Sequence, residues 1–355
     1  MTRPMNLAHD RVNNFDAMRL FGAVLVLVGH AYPLHGLTHY PSMWGSPVAV
    51  LGIAVFFSLS GYLISTSWYN NRSLLKYLRK RALRIFPALA VVVLLSVLIL
   101  GPIASSLPVG QYFTSPGTWS YLGNIALYPV YALPGVFDSL PYAGVVNGSL
   151  WSLPIEFACY LLVPLVALVP ERARTWTFLV LAALFGVVSQ VLSTMDASVV
   201  LYGSSLAQAT AVWPYFMVGA AIASARQRFT TRLDFAVVAV LLTSLLDSVH
   251  PDIADYAWWF VLPYTVIALG SLVTPVVSRA GRFGDLSYGI YLYAFPVQQV
   301  LVLVAPRLSL LGSVALTAIG SACAAFLSWH LIEKRALKWK TSHRETSASS
   351  RVPSA

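Results

Sequence analysis

Long apolar stretches recur along the whole chain and are separated by short polar segments. A helix needs about 20 apolar residues, at about 1.5 Å each, to cross the hydrocarbon core of a bilayer. Ten stretches approach that length, at residues 17–36, 47–67, 85–103, 150–170, 175–194, 205–225, 234–250, 257–277, 286–305 and 309–332. The pattern therefore predicts an all-α integral membrane protein, built as a bundle of about ten transmembrane helices.

Residues 104–149 interrupt this regular spacing. They are rich in Pro, Gly, Tyr and Ser, and their apolar part, residues 121–133, is too short to span a bilayer as a helix. We therefore interpret the segment as an ordered connection with a partly inserted portion, and not as an additional span.

Composition supports a membrane protein over a soluble one. Apolar residues make up 57% of the chain and charged residues 10%, with a mean hydropathy of +0.71. Soluble domains carry about a quarter charged residues, so this chain has too few to cover a soluble surface. Its two cysteines, Cys159 and Cys323, lie in apolar runs. They argue against a disulfide framework and are too few for a thiolate metal site, and we predict no metal.

The positions of the basic residues predict the orientation in the membrane. If the N-terminus is cytoplasmic and residues 104–149 form one outer connection, every Lys and Arg except Arg307 belongs to the inner side. Treating residues 121–133 as a span would destroy this asymmetry, so the positive-inside rule favours ten spans with both termini cytoplasmic. The net charge of +10 is explained in this way without a nucleic-acid partner. We predict a transmembrane domain at 1–340 and a disordered cytoplasmic tail at 341–355.

Ionisable residues inside spans are costly and mark functional sites by default. Arg19 and His30 are eleven residues apart in the first span, which is about 16 Å along a helix and places them on nearly the same side. Glu156 lies in the fourth span, at a depth that we estimate to be similar to that of His30. We therefore expect the carboxylate of Glu156 to pair with the imidazole of His30. In the alternative interpretation, Arg19 extends to the headgroups and His30 is a neutral packing residue.

Six basic residues between Arg72 and Arg84 exceed what orientation requires. Anionic lipid headgroups of the membrane are one suitable partner. A cytosolic polyphosphate is an equally good partner on composition alone, because arginine suits phosphate geometry.

Several of these segments together resemble the acyltransferase-3 family of membrane acyltransferases. The resemblance covers about residues 13–340, and each motif is weak alone but specific in this order. FDAMRLFGAVLVLVGH resembles the family's Arg-x10-His motif, VFFSLSGYLIS its FFxLSGxLI block, and RALRIFP its Arg-x-x-Arg motif. LWSLPIEFACYLL resembles the WSLxxE block, and FGDLSYGIYLYAFPV and HLIEKRALK resemble the last two blocks.

The resemblance implies an O-acyltransferase, most simply an O-acetyltransferase, in the bacterial inner membrane. Acetyl-CoA or another acyl-CoA would be a co-substrate and not a tightly bound cofactor, and the acceptor would be an extracytoplasmic or lipid-linked glycan. It implies His30 as general base or transient acyl carrier, with Glu156 and Arg19 as catalytic partners. The donor phosphates would bind Arg81, Arg84 and Arg79, and the site would be lined by Tyr32, Ser60, Trp151 and Ser152. A transporter or flippase of a glycan or its precursor is the alternative class.

Overall fold

Ten long helices make up most of the described chain, which comprises residues 13–195, 198–227 and 230–338 of a computed structural model. They are α1 (Phe15–Leu34), α2 (Val48–Asn70), α3 (Leu74–Leu95), α4 (Ser152–Val166), α5 (Glu171–Thr194), α6 (Leu206–Ala225), α7 (Leu233–Val249), α8 (Pro251–Ser271), α9 (Ser287–Val304) and α10 (Leu310–Ser328). α3 continues through a π-helical turn, Ser96–Leu100, into Gly101–Ala104, and α10 continues through Trp329–Glu333 into Lys334–Lys338.

Among the described residues, nine helices are long and apolar enough to cross a membrane when the continuous extensions are included. The exception is α7, which has 17 residues and is about 25 Å long. The all-α membrane bundle predicted from the sequence is confirmed. The cytoplasmic location of both termini stays a prediction from the charge distribution, and the tail predicted at 341–355 lies outside the described residues.

Two helices begin well before the apolar runs that predict them. α3 begins at Leu74, so the basic segment treated in the sequence as a connection is helical. Its Lys, Arg, Leu and Ala residues are good helix formers, and long basic side chains can extend away from an apolar environment. α8 begins at Pro251 and ends at Ser271, so both of its ends lie about six residues before the predicted ones. The early start is explained by Pro251, because proline is favoured at the first turn of a helix.

The segment between α3 and α4 contains no helix of membrane length. It holds the short helices Val109–Thr114 and Pro116–Ser120, and the 3₁₀ turns Tyr121–Ala126 and Gly148–Trp151. Buried tyrosines attach it to the bundle: Tyr112 donates a hydrogen bond to the Val97 carbonyl oxygen at 2.9 Å. It is thus an ordered connection, as the sequence predicts.

Two short hairpins and one further turn complete the described fold. Ser42–Met43 pairs with Ser46–Pro47, and Val200–Leu201 pairs with Ser204–Ser205, both antiparallel. A 3₁₀ turn, Val277–Phe283, precedes α9.

Small residues allow the central helices to approach closely. A Cβ atom at Gly61 of α2 would lie 2.0 Å from the Phe216 carbonyl oxygen of α6, and one at Gly219 would lie 2.3 Å from the Ser58 carbonyl oxygen. Such contacts are typical of helix packing in membranes, where close van der Waals contact stabilises association. α2, α6 and α9 are the most buried spans.

Candidate functional site

Five charged residues form a network at one end of the bundle, which we call the charged end. Arg84 of α3 lies 2.6 Å from the Asp285 carboxylate and 3.7 Å from that of Glu333. Arg19 of α1 lies 3.2 Å from Asp285 and 3.1 Å from Asp16. This charge network therefore links α1 and α3 to the start of α9 and the end of α10.

The network contains more acidic than basic groups, and its members are partly or fully removed from solvent. The side chain of Asp285 is 15% exposed and that of Glu333 only 2%. Burial alone would raise the pKa of Asp285, but Arg84 and Arg19, together with a 2.5 Å hydrogen bond from the Ser287 hydroxyl, lower it to about 2. Asp285 is thus ionised at neutral pH and holds both arginines.

This network includes Arg84, which was expected to bind the donor phosphates. The sequence predicts a phosphate contact for Arg84, whereas the structure places its guanidinium against two carboxylates. A phosphate at this position would be repelled by the same carboxylates that hold the guanidinium. Sequence reasoning missed Asp285 and Glu333, although they lie in the last two family-like blocks. The signal was the presence of an acidic residue beside each of two spans that otherwise carry few charges.

Arg81 lies one helical turn before Arg84, in a different environment. Its Nε is buried and has no hydrogen-bond partner among the described residues, and none of the salt bridges found there includes it. Tyr77 and Tyr160 are its electrostatic neighbours. The third arginine expected at the phosphates, Arg79, is exposed. Of the three, Arg81 is thus a half-buried cation with a buried Nε, and no carboxylate pairs with it in the described part of the chain.

Glu156 of α4 accepts two short hydrogen bonds from hydroxyl groups. Ser60 of α2 donates to Oε1 at 2.5 Å, and Tyr160, one turn along α4, donates to the same atom at 2.6 Å. Two such bonds are a suitable environment for a carboxylate inside a span. Ser60 was expected to line the site, and the structure places it in contact with Glu156. Tyr160 was not identified from the sequence.

A narrow cavity of about 40 Å³ adjoins Glu156. At about 10–15 Å³ for each water, it has room for a few water molecules but not for a sugar. It is lined by Ile53, Phe56, Phe57, Ser152, Leu153, Glu156, Tyr288 and Tyr291. Ser152 was predicted to line the site, whereas Tyr32 and Trp151 are half-buried outside this lining.

Ser152 is held in a directed chain of hydrogen bonds. The Tyr291 hydroxyl donates to the Ser149 carbonyl oxygen at 2.6 Å and lies 2.6 Å from the Ser152 hydroxyl. Because Tyr291 has a single proton, Ser152 is the donor in the second bond. The Ser152 proton is thus engaged and is not directed at a substrate.

His30 lies toward the opposite end of α1. Its ring packs edge-on against that of Phe295 of α9, with 5.2 Å between centroids. No salt bridge or hydrogen bond joins His30 to another side chain within the described residues. Gly148 packs against Phe295, because a Cβ there would lie 2.7 Å from Phe295 Cε2. The imidazole is therefore oriented by aromatic packing and not by a carboxylate.

The expected pair between His30 and Glu156 does not form. Gly29 packs against Ala49 at the start of α2, whereas Ser60, which binds Glu156, is eleven residues further along that helix. Eleven residues correspond to about 16 Å, so Glu156 binds well below the level of His30. The estimate from the sequence failed because it counted depth from helix ends, and α4 begins directly after the folded connection that follows α3.

One helix connects the charged end to His30. Asp285, two residues before α9, belongs to the charge network, and α9 itself contributes Tyr288 and Tyr291 to the cavity and Phe295 to the contact with His30. The ten residues from Asp285 to Phe295 span about 15 Å. Arg19 and His30, eleven residues apart on α1, contact the two ends of this same stretch. The site is thus a column of polar and aromatic groups along α1 and α9.

Comparison with known proteins agrees with the resemblance seen in the sequence. The profile of the acyltransferase-3 family, described as an acyltransferase domain, matches residues 12–333. The chain is 32% identical over 336 residues to an O-acetyl transferase of Shigella phage Sf6, covering 92% of this chain and 96% of the phage protein. It is 28% identical over 378 residues to nodulation protein 10 of Rhizobium leguminosarum bv. viciae, covering 93% of this chain and 94% of that protein.

A third relative is longer than this chain. The peptidoglycan O-acetyltransferase OatA of Listeria monocytogenes serovar 1/2a is 25% identical over 339 residues, which cover 84% of this chain and 51% of that protein. No solved structure matches the chain. The family match over nearly the whole described chain, with the membrane-length helices, shows that the protein belongs to the acyltransferase-3 family of multi-pass membrane acyltransferases.

Proposed function

We propose that the protein is an O-acetyltransferase of the bacterial inner membrane. It takes an acetyl group from acetyl-CoA at the charged end, which faces the cytosol, and transfers it to a hydroxyl of an extracytoplasmic or lipid-linked glycan. The similarity to an O-acetyl transferase over nearly its full length supports the reaction class. The arrangement of the site supports the direction of transfer.

The observation that carries the proposal is the continuity along α9. The charge network, the cavity and the contact with His30 follow one another over about 15 Å of this helix. Pantetheine is a slender arm of comparable length. The donor phosphates would remain at the charged end while the thioester reaches the level of His30.

His30 would then serve as the base for the acceptor. The neutral imidazole accepts the proton of the sugar hydroxyl as its oxygen attacks the thioester carbon. The new C–O bond forms, the C–S bond breaks, and the imidazolium returns the proton to the coenzyme A thiolate. The products are an acetyl ester and free coenzyme A, so atoms and charge balance.

Glu156 acts in this scheme as a positioning residue and not as the partner of His30. Its carboxylate holds Ser60 and Tyr160 beside the cavity through bonds of 2.5 and 2.6 Å. Tyr160 in turn neighbours Arg81. Glu156 thereby connects the surroundings of Arg81 with the cavity through Tyr160.

Transfer of a labelled acetyl group tests the proposed function. Membranes from cells that express the full chain are incubated with [¹⁴C]acetyl-CoA and an O-polysaccharide or lipid-linked oligosaccharide fraction. We expect label in the glycan that is released by mild alkali, as an ester is and an amide is not. Membranes without the protein are the control. Movement of unlabelled glycan across the membrane with no alkali-labile acetyl label would contradict the proposal and favour the transporter.

We expect Arg81 to be the arginine of the motif that binds the donor phosphates. Arg81→Gln should weaken acetyl-CoA binding by about tenfold or more, the size of one lost charge-assisted contact. Binding of acetyl-pantetheine, which lacks the nucleotide phosphates, should change little. Both are measured by calorimetry on the purified protein.

Lys334, an exposed basic residue near the charged end, provides a matched control. Lys334→Gln removes the same charge and should leave both affinities near those of the unaltered protein. If Arg81→Gln lost the same affinity for acetyl-CoA and for acetyl-pantetheine, Arg81 would support the fold and would not bind the phosphates.

A further inference from the structure

A second basic site lies at the charged end, away from the column along α1 and α9. We call it the arginine pocket, and it is a recess of about 80 Å³. It is lined by Tyr69, Arg72, Glu171, Arg174, Ala223, Ser224, Arg226 and Gln227. Its three arginines come from three separate parts of the chain, after α2, in α5 and after α6.

The arginine pocket is separate from the Glu156 cavity. Tyr69 and Ser60 both belong to α2 and are nine residues apart. Nine steps of about 100° place the two side chains on opposite sides of the helix. The two recesses also share no lining residue. A ligand in the arginine pocket would therefore not occupy the proposed path of the acyl arm.

Positive charge in this pocket is held in place and is not neutralised. The guanidinium carbons of Arg174 and Arg226 lie 5.8 and 6.0 Å from the centroid of the same ring, that of Tyr69. Arg174 is buried and fixed, because its Nε and Nη2 donate to the carbonyl oxygens of Val169 and Ala167 at 2.9 and 3.0 Å. Bringing like charges together costs free energy unless an anion compensates.

The protein itself provides little compensation. Glu171 is the single acidic residue of the lining, and none of the salt bridges among the described residues joins it to an arginine. Arg226 donates from Nη2 to Asn70 Oδ1 at 3.0 Å, but its Nη1 is buried without a hydrogen-bond partner in the described part of the chain. A buried donor on a charged group normally has an acceptor, so this atom indicates a ligand.

We propose that the arginine pocket binds a phosphate group presented at the charged end of the bundle. Arginine forks match phosphate oxygens in geometry and charge. Two sources of that chemistry reach a cytosolic membrane surface: the headgroup of an anionic phospholipid and a soluble phosphate or nucleotide. Both would bind Arg226 and Arg174 through the same oxygens, with Arg72 at the exposed rim.

Binding measurements on the full chain separate the two sources. The purified protein is titrated with inorganic pyrophosphate and with coenzyme A in neutral detergent. In parallel, its unfolding temperature is compared between nanodiscs of phosphatidylcholine and nanodiscs that also contain phosphatidylglycerol. If the ligand is soluble, Arg226→Gln should weaken the affinity for pyrophosphate or coenzyme A by about tenfold, because it removes one charge-assisted contact. If the ligand is a lipid headgroup, the same variant should abolish the rise in unfolding temperature that phosphatidylglycerol causes.

Two further variants make the test specific. Arg279→Gln removes an exposed charge that does not line the pocket and should leave every response unchanged. Arg226→Lys keeps the charge and should retain more binding than Arg226→Gln. The proposal is overturned if the unaltered protein responds to none of the probes, or if Arg226→Gln and Arg279→Gln lose binding equally. Because the experiment measures binding, its outcome does not depend on whether the protein transfers acetyl groups.

Discussion

His30→Ala is expected to lower acetyl transfer to the glycan by two to four orders of magnitude, the usual contribution of a general base. His30 lies at the end of the column opposite the charge network, where its ring contacts Phe295. The loss should appear as alkali-labile label per mole of protein, at unchanged expression. Acetyl-CoA affinity should be preserved, because the proposed phosphate contact, Arg81, belongs to α3 at the charged end, whereas His30 lies at the other end of a column of about 15 Å.

His35 provides a matched control for this variant. It follows α1 by one residue, and its Nδ1 forms a local hydrogen-bond contact of 2.9 Å with the Ala31 carbonyl oxygen. His35→Ala should keep near-normal transfer. Near-normal transfer by His30→Ala would instead contradict the proposed mechanism.

The separation of His30 from Glu156 adds a second readout to this experiment. Effects of residues that act as one unit are strongly non-additive, whereas distant and independent residues have additive effects. We expect the losses in His30→Ala and Glu156→Gln to add on a logarithmic scale in the double variant. A double variant no worse than His30→Ala would show that the two residues act together despite their separation in the structure.

Arg84→Ala is expected to destabilise the protein by about 3–5 kcal/mol, the usual cost of removing one partner from a buried ion pair. It would leave Asp285 with Arg19 alone and Glu333 without a basic partner among the described residues. The chain has two cysteines, of which Cys159 is buried and Cys323 exposed, so the variants are made in a Cys323→Ala background. Heating with a thiol-reactive dye then reports when Cys159 becomes accessible.

Asp285→Ala in the Arg84→Ala background distinguishes pairing from phosphate binding. If Arg84 mainly neutralises carboxylates, removing Asp285 as well should recover part of the lost stability. Lys334→Ala, which removes an exposed charge near the same end, should leave the unfolding temperature unchanged. A stable Arg84→Ala protein that no longer binds acetyl-CoA would restore the phosphate role predicted from the sequence.

The span pattern illustrates what sequence reasoning predicts well. Each membrane helix must carry a long apolar run, because its backbone satisfies its own hydrogen bonds and its side chains face lipid or other apolar helices. The ten predicted spans therefore match the ten long helices, with shifts of a few residues at most ends. The eleven-residue spacing of Arg19 and His30 likewise predicts the shared face that both present to α9.

Pairing across the bundle was predicted less well. Glu156 binds Ser60 and Tyr160, two hydroxyl donors that occur throughout apolar spans and give no distinctive signal in the sequence. Arg84 binds Asp285 and Glu333, which are separated from it by about 200 and 250 residues. The contacts between distant polar groups depend on the rotation and the depth of each helix. The hydrophobic pattern does not specify rotation or depth to within one helical turn.

The sequence by itself determined the membrane class and the helix content, and it identified the ionisable residues inside spans. It also predicted the orientation in the membrane. These properties follow from local quantities: the length of apolar runs, the placement of charge and helical periodicity. The tertiary structure alone decided that His30 and Glu156 are apart, that Arg84 is held by carboxylates while Arg81 is not, and that Arg174 and Arg226 share the ring of Tyr69. These properties depend on which helices are neighbours and how closely small residues let them pack, and that information exists only once the bundle has assembled.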